Sequence, residues 1–191
     1  SASLGSLVLI KTLTASSSAT LSFVDGASSV VLDNTYPIYL FKFINIHGAT
    51  DDKKFEFQAN AAGGSGYNET ITTTNFQSYH REDDGANGLG YNSGYDNQQT
   101  TDHQEISGPL SNDNDASFSG ELYIFNPSDT TFVTHFMATG HGMEAGTSKV
   151  STQLHTAGYF NTTSAVDEFQ FKFNSGNIDS GTVKLYGIKD S

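Results

Sequence analysis

From Asp167 to Asn174 the chain reads DEFQFKFN, with Phe169, Phe171 and Phe173 alternating with Gln170 and Lys172. Successive strand side chains point to opposite faces, so this period puts three rings on one side and polar groups on the other. A helix would turn Phe171 to the side opposite Phe169 and Phe173 and split the three rings. The segment KKFEFQAN repeats the pattern, with Phe55 and Phe57 set against Lys54, Glu56 and Gln58.

The same period recurs along the chain. Val8, Ile10 and Leu13 begin it, and Ala19, Leu21 and Phe23 follow. Ile38, Leu40 and Ile44 lie in YPIYLFKFINIHG, and NETITTTNFQSYH is rich in the β-branched residues that strands prefer. FSGELYIFNP and TTFVTHFMATG are separated by Asn126-Pro127-Ser128-Asp129, a turn signal because proline presets φ while Asn, Ser and Asp bond local backbone. KVSTQLHTAGYFN and GTVKLYGIK complete the series beside DEFQFKFN. This predicts about nine or ten strands and no helix of convincing length. The fold class is therefore all-β, a two-sheet antiparallel sandwich, and a jelly roll of about eight strands suits the length. In such a fold the last strand returns beside the first, which accounts for a chain whose final strand is followed by almost nothing.

A length of 191 residues suits one domain with a substantial core. Residues 1–29 are expected as an N-terminal arm or first hairpin, and 30–191 as the sandwich domain. The opening Ser1 in place of Met is expected from processing of the N-terminus. Arg81 to Gln104 interrupts the rhythm with glycines and almost no aliphatic residues, and is predicted as a long functional loop at one end of the sandwich. Gly63-Gly64-Ser65-Gly66 is read as a hairpin turn rather than a phosphate loop, since the P-loop lysine and helix are missing.

The chemistry-bearing motifs are sparse. There is no cysteine, so disulfides and thiolate metal sites are excluded. No G-x-S-x-G elbow marks a nucleophile, and the six histidines lack metalloprotease spacing, so they read as scattered surface or turn residues. Asn112-Asp113-Asn114-Asp115 is an oxygen-rich turn of the kind calcium favours, with Asp113 and Asp115 as candidate ligands. The plainer reading is an Asx-rich turn that caps its own backbone. Tyr91 and Tyr95 in the long loop are candidate partner or receptor contacts, because aromatics among Asn, Gly and Ser make an adaptable binding surface. Their plainer reading is a local lid over the end of the sandwich.

A net charge of −12 opposes binding to a phosphate backbone, so nucleic acid is not an expected partner. No run of the sequence is long and apolar enough to predict a membrane-spanning helix. An acidic surface keeps a chain soluble, and in salty water its self-repulsion is screened within about 4 Å at roughly 0.6 M salt.

Taken together, YLFKFINIHGATDDKKFEFQAN, GELYIFNPSDTTFVTHF and AGYFNTTSAVDEFQFKFNSGNIDSGTVKLYGIK resemble a family of structural proteins from tailed phages of marine bacteria, cyanophages above all. The resemblance runs from about Tyr36 to Lys189 and is less clear from Ser1 to Ser29. It implies a non-enzymatic virion protein: a capsid decoration or projecting knob held by other virion proteins, the major capsid protein first. It carries over no catalytic residue and no cofactor. A homo-oligomer is expected, a trimer being the state that suits threefold or quasi-threefold positions. The rival expectation is a tail receptor-binding module that contacts host surface glycan or protein.

Overall fold

A computed structural model describes residues 6–189. Thirteen strands follow one another: β1 (Leu7–Thr14), β2 (Leu21–Val24), β3 (Ile38–Gly48), β4 (Phe55–Ala61), β5 (Ile71–Arg81), β6 (Asn87–Tyr91), β7 (Gln98–Thr100), β8 (Gln104–Glu105), β9 (Phe118–Phe125), β10 (His135–Glu144), β11 (Val150–Phe160), β12 (Val166–Phe173) and β13 (Ile178–Ile188). No helix occurs among the described residues.

The strands form an antiparallel sandwich of two unequal sheets. The larger has nine strands in the order β1-β13-β3-β9-β10-β11-β5-β6, with β7 also paired to β5, and the smaller has the order β2-β12-β4-β8. If β5 to β7 and β10 to β11 are set aside, eight strands remain. Counted in chain order, these run 1-8-3-6 in one sheet and 2-7-4-5 in the other. The last strand, β13, pairs with the first, β1, as expected, and on its other side with β3.

Phenylalanine fills the space between the sheets. Phe41 of the large sheet meets Phe171 of the small one at 5.0 Å between ring centroids, Phe43 meets Phe55 at 5.5 Å, and Phe57 meets Phe136 at 5.2 Å, mostly edge to face. Each such ring contributes about 1.5–3 kcal/mol by leaving water, and the edge-to-face arrangement adds a little more. Glycine makes room for one of these rings. Gly120 and Gly140 are register partners, and a side chain on Gly140 would occupy the ring of Phe118.

Three local expectations change. Of residues 1–29, the described part enters the fold in two places: β1 pairs with β13 in the large sheet and β2 with β12 in the small one, so the two are not a hairpin. The glycine-rich turn at 63–66 also joins no hairpin, because β4 belongs to the small sheet and β5 to the large. Gly63 and Gly66 take φ values of 79° and 95° as the chain crosses between layers. The run from Arg81 to Gln104 is not structureless, for it carries β6, β7 and the start of β8. The turn at Asn126 to Asp129 does join adjacent strands, and Asp129 caps it by accepting the Thr131 N–H at 2.6 Å. The strand after it starts only at His135, leaving Phe132 exposed in the connection.

Candidate functional site

The register across the large sheet sets its outward side chains in rows. One row passes through Leu7, Ile188, Ile38, Phe125, His135 and Tyr159. The next passes through Leu9, Tyr186, Leu40, Tyr123, Met137 and Ala157. Neither row contains an acid or a lysine. Leu7, Leu9 and Met137 are exposed at 50%, 52% and 55%, and only Leu40 among these twelve residues is buried, so most of the patch is open apolar surface. Rings lie against one another along it, Tyr123 with Phe125 and His135 with Tyr159. Six strands at about 4.8 Å spacing and two rows at about 6.8 Å make a patch of roughly 400 Å². Apolar patches of that size on a single chain are often functional.

The third row turns polar at its centre and aromatic at its end: Thr12, Lys184, Lys42, Glu121, Thr139, His155, Phe76, Tyr91. Lys42 Nζ donates to Glu121 Oε2 at 2.7 Å, and that bond holds the lysine above its ordinary pKa. Phe76 stacks on His155 at 4.7 Å, and Leu89 stands out at the β6 edge. Four of the six histidines, His80, His135, His141 and His155, share this face through their register positions and are not scattered. On a chain of net charge −12, these three rows carry one carboxylate, Glu121, beside Lys42 and Lys184.

Tyr91 and Tyr95 do not act together. Tyr91 is register partner to Phe76 at the end of the large-sheet face, and its hydroxyl donates to Asp96. Tyr95 folds toward the small sheet instead, where Lys54 Nζ sits 4.3 Å from the centre of its ring. Burial pushes the Tyr95 hydroxyl well above its ordinary range, with Glu144 and Glu105 adding to the effect.

Asp113 is paired with Lys149 Nζ at 2.5 Å, so an ammonium already stands where a cation would, and the bond lowers its pKa. The Asp113 N–H donates to Ser111 Oγ and its carbonyl accepts from the Ala116 N–H, so serine and backbone close this turn rather than the Asn and Asp side chains expected to cap it. Asp115 lines a shallow surface dip beside Asn45 and His47. Among the described residues no group of three or more His, Cys, Asp or Glu is arranged to hold a metal ion.

No family model, curated protein or solved structure matches this chain. The apolar face carried a sequence signal of its own: Ile38-Tyr39-Leu40-Phe41 and Leu122-Tyr123-Ile124-Phe125 are unbroken apolar runs. In a strand such a run means that both faces are apolar.

Proposed function

We propose that this chain is a non-enzymatic structural protein of a phage particle, a capsid decoration or projecting knob, and that it attaches through the outer face of the large sheet. The observation that carries the reading is the pair of uncharged rows from Leu7 to Tyr159 and from Leu9 to Ala157 on an otherwise acidic protein. The occupant is a shell protein, the major capsid protein first. With Lys42 and Lys184 against Glu121, the rim of the patch suits a neutral or mildly acidic neighbour. The phrases that resemble marine phage proteins support the particle context. The strand order 1-8-3-6 and 2-7-4-5 supports a jelly roll as the finer description of the sandwich.

Size supports an oligomer. A standard interface buries about 800 Å² per partner, roughly twice this patch, so one copy would hold weakly. A symmetric homo-oligomer, a trimer at threefold or quasi-threefold positions, would present several patches at once and gain by avidity. Quantitative mass spectrometry of purified particles tests the reading. Copies in a fixed, high ratio to the major capsid protein are expected. Absence from washed particles, or only a handful of copies, would overturn decoration of the shell.

A further inference from the structure

The opposite side of the molecule holds a cleft of about 540 Å³ over the small sheet. Its floor is Glu56 of β4 and Glu105 of β8, which are register partners. Its walls come from the connections after β4, after β6 and after β7, which contribute Tyr67, Tyr95, and Asp102 with His103.

These connections are fixed in place by buried amides. Gln58, fully buried, donates from Nε2 to the carbonyls of Glu69, Thr101 and Asp102 at 2.9–3.2 Å, tying two of them to β4. Gln104, also fully buried, donates to the Tyr95 carbonyl at 2.8 Å and accepts from Thr73 and Asn97. The cleft is therefore formed before any ligand arrives, which spares the ordering cost of binding.

The carboxylates are likewise held. Glu105 accepts from Lys54 at 2.7 Å, Glu56 pairs with Lys172 at 3.3 Å, and Asp102 accepts from Thr100 at 2.8 Å. His103 Nε2 is buried and has no hydrogen-bond partner. A concave site with aromatic rings, fixed carboxylate acceptors and a polar atom lacking a partner fits a polyhydroxylated ring. Hydroxyls would donate to the acids, and the apolar face of the ring would lie against tyrosine. Its acids, Glu56, Asp96, Asp102 and Glu105, outnumber the neighbouring Lys54 and Lys172, which disfavours uronates and sulfated sugars.

We propose that this cleft is a saccharide-binding site for an uncharged sugar residue. The proposal concerns the face away from the attachment surface and stands or falls independently of it. The test is a glycan array of neutral, amino, uronic and sulfated oligosaccharides, probed with the intact chain, Tyr95→Ala, Asp102→Asn and Met137→Asp. Neutral glycans should bind the intact chain and Met137→Asp alike, while Tyr95→Ala and Asp102→Asn lose at least tenfold. Asp102 is exposed, so its amide variant keeps the fold, and an unchanged melting temperature verifies that. Competition by free monosaccharide separates recognition of one ring from recognition of an extended surface polysaccharide. Silence toward every neutral glycan, preference for acidic ones, or equal binding by both cleft variants would overturn the proposal.

Discussion

Leu9, Tyr186, Tyr123 and Met137 point away from the core of the large sheet and stay in contact with water. Glu56, Gln58 and Asn60 point away from the core of the small sheet, yet all three are buried, Gln58 completely. The two outer faces thus reverse the usual match of residue type to solvent, with apolar groups bare and polar groups covered. Exposed apolar patches and buried polar groups are the informative departures in a folded protein. The difference comes from the connections. The loops at 62–70 and 92–103 cross the small sheet and are held there by side-chain amides, whereas Leu7, Leu9 and Met137 of the large sheet stay exposed. A face built of hydrogen bonds can hold its own covering, and a face built of exposed rings offers no such anchors to a loop.

The comparison can be broken most severely through what the faces share. Phe171 packs on Phe41, Phe43, Phe55 and Phe57 in the layer between the sheets. Phe171→Ala should cost ~3–5 kcal/mol in urea unfolding and weaken both faces together. A loss confined to one sheet would show that the sheets are not one cooperative unit.

Gln58→Ala should act on the small-sheet side alone. It removes the shared donor of three part-buried carbonyls, at a cost of ~1–3 kcal/mol, and frees both loops. Limited proteolysis should then cut within 62–70 and 92–103 while β9 to β11 stay intact. Loops as resistant as in the wild type would contradict the anchoring role.

Acid should sharpen the contrast further. Burial, with help from Lys172, pushes the pKa of His103 down to about 4. As pH falls below the ordinary histidine value, the unfolded chain takes up a proton that the folded chain refuses, so stability drops until the pH nears 4. Glu56, Glu144 and Asp167 work the other way. Burial raises their pKa values, so in the folded chain they take up protons before the unfolded chain does, and they return stability at lower pH. The melting temperature should therefore decline between neutral pH and about pH 5, and His103→Gln should flatten that decline. Parallel curves for the two proteins would remove His103 from the account.

The smallest effect on stability is expected on the bare face. Met137→Asp should change unfolding by no more than ~0.5 kcal/mol, because the side chain is exposed. Co-sedimentation with particles should nevertheless fall sharply, since an unpaired carboxylate would be placed within the apolar patch.

Much of this was legible in the sequence. Every run that alternates, from Val8 to Gly187, contributes to a strand, because period two survives any tertiary arrangement. Strands β6, β7 and β8 were hidden, since Gln98–Thr100 and Gln104–Glu105 are too short to show a period and pair only because neighbouring strands offer free edges. The parting of Tyr91 from Tyr95 was equally hidden. It depends on Phe76 lying opposite one and on Gln104 holding the backbone of the other, and both partners are set by sheet register. Gln58 and Gln104 read as ordinary polar strand residues, and nothing local marks them as anchors.

The attachment face can be tested most directly through the chain's two methionines. Met137 lies within the apolar rows, and Met143 lies toward the other end of β10, paired with Ser151. Peroxide oxidation followed by peptide mass spectrometry should be run on the isolated protein and on intact particles. Met137 should oxidise readily when free and be strongly protected on the particle, with Met143 changing less. Equal oxidation of Met137 in both states would mean that this face stays in water, and the large sheet would not be the attachment surface.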